Sequence, residues 1–287
     1  MSLLTRVVTF GRMIKFSHSV FALPFALAGA TLAAARAGIT WQQVAWIVVA
    51  MVGTRSAAMG FNRLVDREAD ALNPRTRNRE LPRGVIAPGT VVVFVIASSL
   101  LLFIAAYHLN RLCFLLSPVA LAVVLSYSLL KRWTWASHFV LGLSLGIAPV
   151  GAWIAVTGSL DPEPMALTLA VLTWVAGFDI IYACQDYEFD VTHGLYSIPQ
   201  RIGIGRALIV ARGLHLITLA SLLTVRWLFD LHLIYLIGVL VVGLMLVYEH
   251  SLVTAHDLSH VNVAFFTTNG IISVLYFVFT VVDTLTR

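Results

Sequence analysis

Two groups of acidic residues lie at the ends of apolar segments, where a membrane protein tolerates carboxylates least. Asn62, Asp66 and Asp70 follow one another at intervals of four residues, and Asp186 and Asp190 repeat that interval later in the chain. A carboxylate at the edge of a hydrocarbon layer is costly unless it is paired or binds a metal ion. The positions of both groups therefore indicate a chemical role.

The first group offers oxygen ligands that suit a hard divalent cation. Residues four apart share one face of a helix, so Asn62, Asp66 and Asp70 are predicted to form a column. Mg²⁺ commonly takes one or two carboxylates together with phosphate oxygens of a substrate. Arg75 and Arg79 lie in the strongly basic stretch that follows. Arginine forks bind phosphate oxygens bidentately, so the stretch favours a diphosphate.

A plainer interpretation of the same segment is a solvated loop. In that case the acids form surface ion pairs such as Arg67–Asp70, which contribute little to stability. Arg63, Arg67 and Glu68 are expected to be surface residues under either interpretation.

The second group extends deeper into its apolar segment. Asp179 lies within the run LTWVAGFDIIYAC, seven residues before Asp186, and Tyr182 lies between them. Seven residues are nearly two helical turns, so Asp179, Asp186 and Asp190 are predicted to share a face. Asp179 is expected to be a metal ligand or to orient one. The alternative is a structural hydrogen bond to a neighbouring helix.

The composition places these acids in an integral membrane protein. Hydrophobic residues make up 59% of the 287, charged residues 11%, and the mean hydropathy is +0.90. These values predict an all-α polytopic membrane protein. Nine apolar stretches are long enough to span a bilayer. They cover about residues 19–37, 43–65, 89–108, 111–130, 138–157, 165–185, 207–225, 231–248 and 264–283.

The basic residues predict the orientation of the nine spans. With the N-terminus in the cytoplasm, 15 of the 19 Lys and Arg residues fall on the cytoplasmic side, beginning with Arg6, Arg12 and Lys15, whereas Arg287 falls outside. The positive-inside rule thus favours a cytoplasmic N-terminus and an external C-terminus. Both acidic groups then face the cytoplasm. Because the net charge of +5 follows this sidedness, it does not indicate nucleic-acid binding.

The two acidic groups also indicate an internal repeat. Each ends a span, the second and the sixth, and each is followed by a polar loop with Pro beside basic residues. This pattern predicts a single domain over 1–287, with four-helix halves at about 19–130 and 138–248 and an extra helix at 264–283. The two acidic ends are expected to face each other across a central cavity.

Such a cavity suits prenyl transfer. Two Mg²⁺ ions held by the opposed acids would clamp one diphosphate and stabilise its charge as it departs. An apolar, water-poor chamber would protect the allylic cation left behind.

The motifs Asn62-x₃-Asp66-x₃-Asp70 and Asp186-x₃-Asp190, with NPRTRNRELPRG between them, closely resemble those of the UbiA superfamily of intramembrane prenyltransferases. The resemblance covers essentially the whole chain. It implies a nine-helix bundle around a central cavity, with Mg²⁺ and a polyprenyl diphosphate as requirements. It also implies that Tyr127 and Lys131 contact the diphosphate and that Arg55 holds the carboxylate of an aromatic acceptor.

The chain departs from the ubiquinone-pathway branch of that family at two places. Arg63 stands where an acid is common, and Leu195 and Tyr196 stand where a GIKSTA-like stretch carries Lys. The expected acceptor is a hydroxyaryl carboxylate, namely 4-hydroxybenzoate or, alternatively, 1,4-dihydroxy-6-naphthoate. Homogentisate, haem and a glycerol phosphate ether stay open.

Two other classes of function remain open at this stage, a secondary transporter of an aromatic acid and an assembly factor for a quinone complex. For the enzyme, the expected partners are the two substrates and the lipid bilayer, with neither nucleic acid nor an obligate protein partner. The expected location is the bacterial inner membrane.

Overall fold

The computed structural model describes residues 9–11, 13 and 21–286, and within these residues the chain is helical without strands. Its helices are α1 (Leu23–Ala37), α2 (Trp41–Val65), α3 (Arg67–Leu72), α4 (Pro88–Leu109), α5 (Arg111–Leu130), α6 (Ser137–Thr157), α7 (Pro164–Ala183), α8 (Tyr187–His193), α9 (Ile198–Ile202), α10 (Ile204–Leu228), α11 (Leu233–Ser251) and α12 (Asn269–Leu285). A π-helical segment, Val263–Thr268, leads directly into α12.

The predicted all-α polytopic membrane fold is confirmed. Eight helices in the described part of the chain are long and apolar enough to cross a membrane. The remaining predicted span, 19–37, corresponds to α1, a shorter apolar helix of 15 residues. Residues 19 and 20 of that span lie outside the described residues, as do Arg6, Arg12, Lys15 and Arg287, which were used to predict the orientation.

Local sequence signals fix where several helices begin and end. Thr40 caps α2 and forms a capping box with Gln43, each satisfying a backbone N–H of the other. Pro88 and Pro164 lie in the first turns of α4 and α7, where proline removes no helical hydrogen bond. Gly158 ends α6 in the left-handed region, with φ 74°.

Small residues let the central helices approach closely. A Cβ at Gly142 of α6 would come within 2.3 Å of the Leu172 carbonyl oxygen in α7, and one at Gly29 of α1 within 2.4 Å of the Pro149 carbonyl oxygen in α6. Such contacts let helices associate within lipid, where hydrophobicity does not drive them together. They hold α6 and α7 as the scaffold on which much of the candidate site is built.

Both acidic groups lie where a long helix breaks into a short one, so neither follows one continuous helix as predicted. Helix α2 ends at Val65, Asp66 adopts φ −85° and ψ 0°, and α3 carries Asp70. Helix α7 ends at Ala183, and a 3₁₀ turn, Cys184–Asp186, leads into α8. The shared break agrees with the predicted repeat, which stays a prediction.

Candidate active site

The two acidic groups open into one cavity of about 310 Å³. It is bounded mainly by α2, α3, α5, α6, α7 and α8 with the π-helical segment, and the loop after α3 contributes its arginines. Every residue that the sequence singled out as a site residue lines it: Arg55, Asn62, Asp66, Asp70, Arg75, Arg79, Tyr127, Lys131, Asp179, Tyr182, Asp186 and Asp190. The structure therefore joins positions that are up to 135 residues apart in the chain.

Asp66 is buried and paired with a cation from another helix. Lys131, just after α5, places its Nζ 2.6 Å from Asp66 Oδ2, and Asn62 Nδ2 donates to the same oxygen at 2.9 Å. The side chain of Asp66 is 4% exposed, whereas that of Lys131 is 32% exposed. Asp66 Oδ1 is buried and has no hydrogen-bond partner among the described residues.

Asp70 accepts from an arginine in the basic loop. Arg79 Nη1 lies 2.7 Å from both carboxylate oxygens of Asp70. The suggested surface pair Arg67–Asp70 is therefore wrong, and Arg67 instead lies near Glu68 at 3.4 Å. The expected exposure of Arg63 is wrong too. Arg63 is 5% exposed, lines the cavity and donates from Nε to the Met13 carbonyl oxygen.

Asp186 is held by a fork from the opposite side of the cavity. Arg75 Nε and Nη2 lie 3.0 and 2.5 Å from the two oxygens of Asp186, and Asn73 Nδ2 donates to one of them. Arg75 Nη1 also donates to the Tyr182 hydroxyl, and its guanidinium lies 5.3 Å from the centre of that ring. Burial is the largest single influence and would lower the pKa of Arg75, but the hydrogen bonding to Asp186 and the electrostatic effects of Tyr182, Asp186 and Asp70 together outweigh it, so the pKa is raised.

Asp190 and Asp179 are held differently from the other acids. Asp190 Oδ2 accepts from the Ser197 hydroxyl, which also caps α9. Asp179 Oδ2 lies 2.6 Å from Nδ1 of His138, a residue at the start of α6 that is 4% exposed. The backbone N–H of Ile198 donates a hydrogen bond to Nε2 of His138 at 3.2 Å.

An aromatic wall closes the cavity on the side of the π-helical segment. The ring of Phe265 lies 4.0 Å from that of Tyr182, and Phe266 lies edge-on to Phe265. Asn269, fully buried at the start of α12, anchors this segment through bonds to the Ala264 carbonyl and the Glu249 carboxyl group. The aromatic wall thus contacts Tyr182, whose hydroxyl accepts a hydrogen bond from Arg75.

A second cavity, of about 350 Å³ and almost entirely apolar, adjoins the first. Arg55 and Tyr127 line both cavities. Arg55 Nε is buried and has no hydrogen-bond partner within the described part of the chain. A polar chamber that continues into an apolar one suits an amphiphilic ligand with an anionic head.

The acids fit a divalent metal by their chemistry, although their present arrangement is one of ion pairs. No three His, Cys, Asp or Glu side chains within the described residues are gathered tightly enough to hold a metal ion. Asp66, Asp70 and Asp186 instead bind Lys131, Arg79 and Arg75. The buried, unpartnered Oδ1 of Asp66 is an acceptor that a cation would satisfy.

Residues 22–271 match the UbiA prenyltransferase family. The chain belongs to that family. It is 31% identical, over 235 residues, to the 4-hydroxybenzoate octaprenyltransferases of Salmonella paratyphi B and Salmonella newport, and the match covers 80% of this chain and 81% of theirs. The chain is thus an integral membrane prenyltransferase. Membership of this enzyme family decides against the transporter and the assembly factor.

Solved structures of UbiA homologues share the fold. The apo structure of a UbiA homologue from Aeropyrum pernix K1 has a TM-score of 0.85 and 31% identity, covering 93% of this chain and 98% of that one. A homologue from Archaeoglobus fulgidus, bound to DMAPP and Mg²⁺, has a TM-score of 0.76 and 23% identity, covering 97% and 100%.

Several residues of this UbiA prenyltransferase's cavity were not singled out by sequence reasoning. They are Asn73, His138, Ser197, Phe265 and Phe266. His138 carried a usable signal, because an imidazole at the start of an apolar span needs a partner when it is buried. The two phenylalanines carried none, because aromatic residues are common throughout these helices.

Proposed function

We propose that this protein transfers a polyprenyl chain from polyprenyl diphosphate to the ring of a hydroxyaryl carboxylate, in a Mg²⁺-dependent reaction of quinone biosynthesis. The acceptor proposed first is 4-hydroxybenzoate, because the Salmonella relatives carry that name. The observation that carries the proposal is the single cavity in which acids and arginines face one another beside an apolar chamber.

The polar cavity would bind the diphosphate. Asn62, Asp66, Asp70, Asp186 and Asp190 would hold two Mg²⁺ ions, and bound Mg²⁺ would neutralise charge on the departing diphosphate. Mg²⁺ with DMAPP in the Archaeoglobus homologue supports this assignment.

The cationic side chains would bind the remaining diphosphate oxygens. Arg75, Arg79 and Lys131 each hold a carboxylate of this cavity now. A diphosphate offers the same charge and a geometry that suits the arginine fork. Tyr127 would add a hydroxyl donor from α5.

The acceptor and the prenyl chain would meet where the two cavities join. Arg55 lies at this junction, and its Nε–H has no partner in the part of the chain that the structure describes, so it would bind the acceptor carboxylate. The prenyl chain would extend along the second cavity, whose lining is mostly apolar and so presents few polar groups to the reacting carbon.

A second acceptor, 1,4-dihydroxy-6-naphthoate, is favoured by the cavity's own residues. Arg63, Leu195 and Tyr196 mark the departures from the ubiquinone branch, and all three line the polar cavity. Their substitution would alter the space and charge around the acceptor while leaving the acids in place.

The proposed site faces the cytoplasm of a bacterial inner membrane, with the N-terminus inside and the C-terminus outside. The cavity mouth is rich in arginine and lysine, as cytoplasmic ends of membrane helices usually are. The lipid bilayer is the partner of the exposed apolar helix faces.

The test is a prenyl transfer assay on the purified protein in liposomes. Geranyl diphosphate and Mg²⁺ are supplied with each acceptor in turn, and products are identified by mass. Asp66→Asn is expected to abolish product while Asp257→Asn, an exposed acid outside the cavity, retains it. If the wild-type protein prenylates neither acceptor, the proposed function is wrong.

A further inference from the structure

We propose that Asp179 is the base that removes the ring proton of the acceptor, and that His138 is a positioning residue that holds Asp179 for this task. The inference rests on the proposed function, since it concerns the last step of ring prenylation.

Asp179 has one carboxylate oxygen bound to His138, and its other oxygen is available to the cavity. Its Oδ2 lies 2.6 Å from His138 Nδ1, and among the described residues its Oδ1 has no hydrogen-bond partner. The side chain of Asp179 is 23% exposed, whereas that of His138 is 4% exposed. The carboxylate can therefore meet a ligand, while the largely buried imidazole is placed to hold Asp179.

The backbone of α9 determines which ring nitrogen of His138 carries a proton. The N–H of Ile198 points to Nε2, so Nε2 must be an acceptor. In a neutral imidazole the proton then lies on Nδ1, which donates to Asp179 Oδ2.

Of the other four acids of the cavity, three are paired with cations and the fourth, Asp190, accepts a hydrogen bond from the Ser197 hydroxyl. Asp66, Asp70 and Asp186 bind Lys131, Arg79 and Arg75, whereas Asp179 is paired with no Lys or Arg among the described residues. Asp179 lies within α7, whereas Asp186 lies in the 3₁₀ turn that follows the end of that helix. Asp179 lines the polar cavity together with Leu141 and Leu145, and both of these leucines also line the apolar cavity.

The proposed step balances as follows. The ring carbon beside the phenolic hydroxyl forms a bond to the first carbon of the prenyl chain as the bond from that carbon to the diphosphate oxygen breaks. The ring carbon still carries its hydrogen. Asp179 Oδ1 takes this proton, and the electron pair of the C–H bond returns to the ring and restores aromaticity. Asp179 becomes a neutral acid and later yields its proton to water.

Two substitutions of His138 separate its two hydrogen bonds. His138→Asn places an amide N–H near the position of Nδ1 and can still donate to Asp179. His138→Gln places its amide near Nε2, so it can accept from Ile198 but no longer reaches Asp179. The pair is matched in chemistry, and only the second variant releases the carboxylate.

The readout is the primary isotope effect with an acceptor deuterated at the two ring positions beside the hydroxyl. His138→Gln is expected to lower kcat about 100-fold, the typical contribution of a positioned base, and to raise the isotope effect above about 2. The KM for geranyl diphosphate is expected to stay the same. His138→Asn is expected to remain within a few-fold of wild type with a smaller isotope effect. An isotope effect is a ratio of rates, so it does not depend on how much of a variant folds.

The inference is overturned if His138→Gln slows turnover without a larger isotope effect, or if the two variants behave alike. It also fails if Asp179→Asn retains wild-type kcat. In each of these cases the wild-type protein still forms product, so the proposed function survives. If the wild type forms no prenylated acceptor at all, both proposals are wrong.

Discussion

Removing the cation that pairs with Asp66 should destabilise the protein far more than removing the acid. The Lys131 Nζ lies 2.6 Å from Asp66 Oδ2, and the acid is almost fully buried while the lysine is one-third exposed. Lys131→Met preserves the apolar stem but leaves a buried carboxylate whose one remaining side-chain partner among the described residues is Asn62. Asp66→Asn leaves a lysine whose flexible chain can carry its charge to water.

The burial of Asp66 and of Lys131 determines how much the two substitutions differ in their cost to the free energy of unfolding. Stranding one charge of a buried pair costs about 3–5 kcal/mol, and an exposed pair contributes less than about 1 kcal/mol. Because Lys131 is partly exposed, we expect Lys131→Met to cost about 2–3 kcal/mol, roughly 4–12 °C in melting temperature. Asp66→Asn should cost no more than about 1 kcal/mol.

The assay is thermal unfolding in detergent without divalent cations, repeated with Mg²⁺ and inorganic diphosphate. The double variant Asp66→Asn/Lys131→Met should recover most of the loss of Lys131→Met, because no buried charge remains. If Asp66 binds metal, the additions should stabilise the wild type by about 2.7 kcal/mol at 100 times the dissociation constant. They should also rescue Lys131→Met but not Asp66→Asn. Equal losses for the two single variants, or equal stabilisation of Asp66→Asn by Mg²⁺, would refute the reasoning.

Three further substitutions test the cavities and the packing behind them. Gly151→Phe should plug the apolar cavity, since a Cβ at Gly151 meets no atom within 4 Å. Turnover of long prenyl donors by this variant should fall about 10- to 100-fold, while its turnover of geranyl diphosphate stays near that of the wild type. The Gly151→Ala control should turn over all donors at near wild-type rates. An unchanged dependence of turnover on donor chain length in Gly151→Phe would contradict this prediction. Asn269→Leu should cost about 2–4 kcal/mol in thermal unfolding, because it strands the buried Glu249; a neutral result would show the network to be dispensable. Gly177→Ala should cost about 1–3 kcal/mol in the same measurement, because its Cβ would lie 2.3 Å from His215 Nε2, and His215→Ala should restore the lost stability.

The helices follow from local sequence, which explains how much of the fold could be predicted. Apolar runs of about 20 residues correspond to the long helices, and even Arg111–Leu130 and Leu233–Ser251, which follow very short loops, form as expected. The breaks at Asp66 and Asp186 were not predicted. A four-residue interval fits a continuous helix and a broken one equally well, so the interval alone could not reveal the change of direction.

The sequence by itself determined which residues could take part in chemistry. A carboxylate or an arginine within an apolar segment is costly without a partner or a ligand, so these residues stand out before the fold is known. Which of them meet was decided only by the tertiary structure. Asp186 and Arg75 are 111 positions apart, and Asp66 and Lys131 are 65 apart. His138 joins Asp179 only because α6 and α7 pack closely through Gly142. Contacts of this kind depend on how whole helices pack against one another, and that packing cannot be deduced from the spacing of residues along the chain.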